Sequence, residues 1–202
     1  MSEYSEYIWD YLYAKTGNEY GTAGLMGNLQ AESGLIPYRL QGDFSSGYTA
    51  SIRYTNGVDS GTITENTFEH DQKGYGLAQW TIISRKTDMY TYWQNNWYPT
   101  SIGNVDFELD YLYHDLTVNY PSVWSVLVSA TSVDEASDKV LYSYEAPSDP
   151  DSKKAYRRSL GQAIYNEYAG GGPPTPPTPP GPPAPPTSLE IPIWMLFKFP
   201  KV

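Results

Sequence analysis

Gly27-Asn28-Leu29-Gln30-Ala31-Glu32-Ser33-Gly34-Leu35-Ile36-Pro37 closes a run that starts near Glu19 and carries Leu25, Met26 and Leu29 at helical spacing. The spacing predicts a helix over 19–33 that stops at Gly34, because glycine takes the left-handed conformation of a helix end without a Cβ penalty. Gly24 and Gly27 lie inside that helix, where each costs about 1 kcal/mol against alanine. Two such costs imply close packing against a neighbour. Glu32 falls in the last turn, where its carboxylate meets the negative helix end. That position disfavours ionisation, which is what an acid catalyst needs. Gly74-Tyr75-Gly76-Leu77-Ala78-Gln79-Trp80-Thr81, rich in glycine and aromatics, reads as a strand facing Glu32.

Outward from this helix the period of 3.6 recurs along most of the chain. Tyr4, Tyr7, Ile8, Tyr11 and Leu12 predict a helix over 3–15, with Lys15 and Gly17 as its stop. Between Asp43 and Gln72 the helical period is lost; Ser51-Ile52-Arg53-Tyr54-Thr55 reads as a strand and Asn56-Gly57 as a hairpin turn. Helices return around Met89, Tyr92, Trp93 and Asn96, then Leu109, Leu112, Tyr113 and Leu116, then Val123, Trp124, Leu127 and Val128. Ser132-Val133-Asp134-Glu135 is a capping box that opens another helix, with Val133, Ala136, Val140 and Leu141 on one face. A last helix, 151–168, is expected to bury Tyr156, Leu160, Ala163 and Ile164. The fold class expected is α+β, mostly α, with a small β lobe.

Composition divides the chain. All 20 tyrosines and both histidines precede residue 170, whereas 12 of the 17 prolines lie from Pro173 onward. The expected organisation is a folded domain over 1–169, a Pro-rich polyproline II linker over 170–188, and a short apolar segment over 189–202. That last segment, Leu189 to Val202, is too short to span a membrane as a helix. Up to Ala169, 11 Lys and Arg stand against 22 Asp and Glu, a formal charge of −11. So acidic a surface argues against nucleic acid, whose phosphates need clustered cations. It also predicts repulsion from anionic wall polymers. The chain has no cysteine, which excludes disulfides and thiolate metal sites. His70 and His114 lack zinc-ligand spacing, so no metal and no cofactor is expected. The acidic start, Met1 to Glu6, does not read as a secretory signal.

The motifs "GNLQAESGL-P" and "GYGLAQWT" occur in order with "SRK" at 84–86, "YPSVWSVL" at 120–127, "ATSVDEASDKVL" at 130–141 and "YEAPSDP" at 144–150. Together they make the chain, over roughly residues 2 to 169, resemble the phage-tail lysozyme family. That family is a branch of the lysozyme-like superfamily, with goose-type lysozymes and lytic transglycosylases. The resemblance implies a lysozyme-like fold with a small β lobe, and a phage or prophage glycosidase that cleaves the MurNAc-GlcNAc β-1,4 bond of peptidoglycan. Glu32 is then the general acid that protonates the leaving oxygen. It leaves open a lytic transglycosylase forming 1,6-anhydro ends, and an inactive virion structural or glycan-binding protein.

Five acids of the expected β lobe, Asp43, Asp59, Glu65, Glu69 and Asp71, are candidates for a second carboxylate. Ser33, Tyr75, Gly76 and Gln79 match groove-lining positions of the family. Trp80 and Trp93 are candidates for stacking on a sugar face, with core packing as the alternative reading. The partners expected are peptidoglycan glycan strands and, through the alternating Ile191, Ile193, Met195, Phe197 and Phe199, a virion tail or wall protein. Membrane contact by 189–202 is the less favoured reading. The protein is expected to be made in the host cytoplasm and to act on the cell wall, in a tail-associated or endolysin role.

Overall fold

The computed structural model describes residues 2–45 and 47–170. Among them run nine α-helices: α1 Ser5–Thr16, α2 Glu19–Ser33, α3 Thr49–Asp59, α4 Glu65–His70, α5 Ile83–Asn96, α6 Val105–Val118, α7 Pro121–Leu127, α8 Val133–Val140 and α9 Pro150–Tyr168. A π-helical turn, Leu141–Glu145, continues α8. The fold is mostly helical. The linker and apolar segment expected from residue 170 onward lie, apart from Gly170, outside the described residues.

Helix α2 is the central element. Every residue from Gly21 to Leu29 is buried, because α1, α7, α8 and α9 surround it. Its glycines let the neighbours come close. A Cβ on Gly24 would stand 2.5 Å from the Ala136 Cβ of α8, and one on Gly27 would stand 2.5 Å from the Gly161 backbone nitrogen of α9. The close packing expected from these glycines is therefore present, and its partners are α8 and α9. Asn18 caps the start, accepting from the Gly21 amide at 2.9 Å, and left-handed Gly34 closes the end. At α8, Ser132 Oγ accepts from the Glu135 amide. The Glu135 carboxylate reaches one residue further back than a capping box requires, to the Thr131 amide at 2.8 Å.

Three expectations are corrected. The strand over 51–55 and the hairpin at Asn56-Gly57 are instead the helix α3. Ser51, Tyr54, Thr55 and Val58 form its buried stripe at spacings of three and four, and that packing outweighs the β propensity of a short segment. Glu65–His70 is helical as well. Among the described residues β pairing is confined to the bridges Leu40–Tyr75 and Tyr75–Trp80, so the stretch 74–81 is a tight loop rather than a strand. In α9 the inward face is Arg157, Gly161 and Ile164; Tyr156 is 60% exposed. The apolar pattern placed Tyr156 inside, but the close approach of Gly27 and Gly161 turns the helix so that a charged residue occupies the buried stripe.

Candidate active site

The Gly34-capped end of α2 delivers Glu32 into the wall of a cleft of about 640 Å³. Arg39, Gln79, Arg85, Glu145 and Lys153 line it with Glu32. The Glu32 side chain is 22% exposed and its Oε1 accepts from Arg157 Nη2. The guanidinium is itself anchored: Nη1 donates to Asn28 Oδ1 at 3.0 Å, and Asn28 Nδ2 donates to the Gly24 and Ser137 carbonyls. The helix-end field on Glu32 is thus opposed by a full positive charge that only the tertiary fold supplies.

The candidates of the 74–81 loop fall mostly in the core. Tyr75 is fully buried, with its hydroxyl 2.7 Å from Thr55 Oγ1. Gly76 has φ 80° and rests against the Glu108 carboxylate, leaving no room for a Cβ. Gln79 does line the cleft, but its Nε2 donates to the Arg39 and Gly76 carbonyls at 3.0 Å each, so it also clamps the loop. Trp80 and Trp93 are buried, with indole nitrogens that donate to Asp115 and to the Thr100 carbonyl. Both indoles sit in the core, and neither lines the cleft. Ser33 is buried and donates back to the Leu29 carbonyl at 3.1 Å, away from the cleft.

None of the five proposed second carboxylates lines the cleft. Asp43 accepts from the Ser51 amide and hydroxyl at 2.7 Å each and from Ser45, and thereby ties down the start of α3. Burial alone would raise its pKa, but these hydrogen bonds overrule it and hold the carboxyl well below the usual range. Asp59 accepts from the Ile102 amide at 2.9 Å. Asp71 pairs with the buried Lys86 at 2.6 Å. Glu65 is exposed in the first turn of α4, and Glu69 is buried beside His70. Asp43, Asp59 and Asp71 thus each hold a structural contact.

The acid that stands with Glu32 is Glu145, the second residue of the "YEAPSDP" stretch. Burial, reinforced by the charge of Glu32, pushes it up to about 8, while Arg85 and Arg157 pull the other way. Its Oε1 is closed to solvent and has no hydrogen-bond partner. Arg85 is aimed by the buried Asp115, whose Oδ2 accepts from it at 2.9 Å and from the Tyr144 hydroxyl at 2.9 Å. No periodicity flags Glu145, Arg85 or Arg157, because they come from three elements that meet only in the folded chain. The legible signal was the quoted motif and "SRK".

A family model described as phage tail lysozyme matches residues 3–168, and the chain belongs to that family. It is accordingly a lytic enzyme of the lysozyme type, with peptidoglycan as the family's substrate. No curated protein and no solved structure matches the chain.

Proposed function

We propose that this member of the phage tail lysozyme family cleaves the MurNAc-GlcNAc β-1,4 bond of peptidoglycan, with Glu32 as general acid. The observation that carries the reading is the position of Glu32. A glycine-capped helix end presents a partly exposed carboxyl group in the wall of a cleft large enough for sugar rings. The proton goes to the glycosidic oxygen as the bond to C1 breaks, and the oxocarbenium-like centre forms in the cleft beside Glu32 and Glu145. Gln79 clamps the 74–81 loop where it borders the cleft, and Arg39 and Lys153 offer donors to substrate oxygens. In this reading the protein is made in the host cytoplasm and reaches the wall in a virion tail or at lysis, and residues 189–202 dock it to a tail or wall partner.

The test is digestion of purified peptidoglycan by the wild type and by Glu32→Gln, with mass spectrometry of the released fragments. Reducing ends that disappear with the substitution support a hydrolase; 1,6-anhydro ends that disappear with it make the enzyme a lytic transglycosylase. Equal release by both proteins removes Glu32 from the role. No release from several wall types favours a structural or glycan-binding virion protein.

A further inference from the structure

Glu145 is the titratable group of the cleft that the proton delivery by Glu32 leaves unused. It is the last residue of the π-helical turn, and left-handed Ala146 (φ 41°) follows it. A π turn inserts a residue into the helical register and re-aims the side chains around it, and such turns concentrate at functional sites. Positive φ is uncommon for a residue with a Cβ. Together they turn Glu145 into the wall it shares with Glu32.

Charged groups face it from four helices: Glu32 from α2, Arg85 from α5, Asp115 from α6 and Arg157 from α9. Arg39 and Lys153 line the cleft beyond them. Arg85 is committed to Asp115 and Arg157 to Glu32, and among the described residues Glu145 forms no ion pair. Two carboxyl groups in one partly desolvated wall, with the nearby cations already paired, do not both ionise at neutral pH.

We propose that Glu145 is the second carboxyl group of the reaction and shares one proton with Glu32. The inference rests on the reading of the Glu32 cleft as the catalytic site. The cleft enters the reaction with one carboxylic acid and one carboxylate. The acid gives its proton to the glycosidic oxygen, which keeps the electron pair of the broken C1–O bond. The carboxylate takes a proton from the attacking water as the water oxygen bonds to C1. One proton leaves the pair and one returns. If the sugar's own C6 hydroxyl attacks instead of water, the count is the same. The upward push on Glu145 keeps that single proton in the cleft through neutral pH.

The experiment follows kcat and KM on soluble glycan fragments from acid to alkaline pH for the wild type, Glu145→Gln and Glu145→Asp, with melting temperatures. The wild type should lose activity on an alkaline limb near pH 8. Glu145→Gln should lower kcat roughly 100-fold with little change in KM and abolish that limb or move it toward acid, and Glu145→Asp should restore part of both. A folded Glu145→Gln enzyme with the wild-type rate and profile overturns the inference, as does a uniform loss with a lowered melting temperature and an unmoved limb. A readout independent of activity is carboxyl carbon NMR. Removing the neighbouring charge in Glu32→Gln should bring the Glu145 titration to lower pH, and no movement overturns the sharing. Full activity in Glu32→Gln sinks the catalytic reading itself, so the two failures are distinct.

Discussion

Glu108 lies sealed beneath the Gly76 turn, where its Oε2 accepts from the Leu77 amide at 2.9 Å and its Oε1 has no partner. Burial pushes it well above the usual carboxylate range, against the Leu77 hydrogen bond, and so favours the protonated acid in the folded state. Asp43 is the opposite case, an ionised group held low by Ser45 and Ser51. The signs follow from proton counting. Above about pH 4.3 the unfolded chain ionises Glu108 while the fold resists, so this residue costs stability increasingly as pH rises. Asp43 contributes stability that is complete above its unfolded value of about 3.9 and is lost as pH falls below it. Urea titrations over a pH series should show Glu108→Gln flattening the decline on the alkaline side, and Asp43→Asn flattening the decline on the acid side. A Glu108→Gln protein with the wild-type slope would mean the carboxyl is ionised in the fold.

At the scale of elements, the contact of α2 with α9 puts helix propensity against packing. Gly27→Ala gains about 1 kcal/mol of intrinsic helix stability. The added Cβ meets the Gly161 backbone at 2.5 Å, and backbone atoms cannot step aside as a side chain can. Overpacking of this kind costs about 1–3 kcal/mol. Gly27→Ala should therefore lower the melting temperature despite the better propensity. It should lower activity too, since α2 and α9 carry Glu32 and Arg157 to the cleft. A melting temperature at or above the wild type would show that the helices separate at little cost. The same competition explains α3. Ile52, Tyr54 and Thr55 favour a strand one by one, but the row Ser51, Tyr54, Thr55 and Val58 is buried along one face of a helix.

Over the whole molecule, a net charge of −11 up to Ala169 surrounds a cleft lined by Arg39, Arg85 and Lys153. Repulsion between this surface and anionic wall polymers acts over the Debye length, which falls from about 30 Å at 0.01 M salt to about 8 Å at 0.15 M. Turnover of intact walls should rise over that range while turnover of small soluble fragments stays level; a fall on intact walls would show that the cationic cleft dominates the long-range field. The sequence by itself determined the helical character of the chain, the central helix with its glycine contacts, the cap at Gly34 and the place of Glu32 at the end of α2. These are properties of spacing and of one turn of backbone, and neighbouring residues suffice to set them. Tertiary structure alone decided that Tyr75, Trp80 and Trp93 belong to the core, that Asp43, Asp59 and Asp71 brace loops and a buried lysine, and that Glu145 is the acid beside Glu32. The physical reason is that burial and charge depend on which distant segments meet, and α2, the π-helical turn and α9 come together only when the glycine faces of α2 are packed.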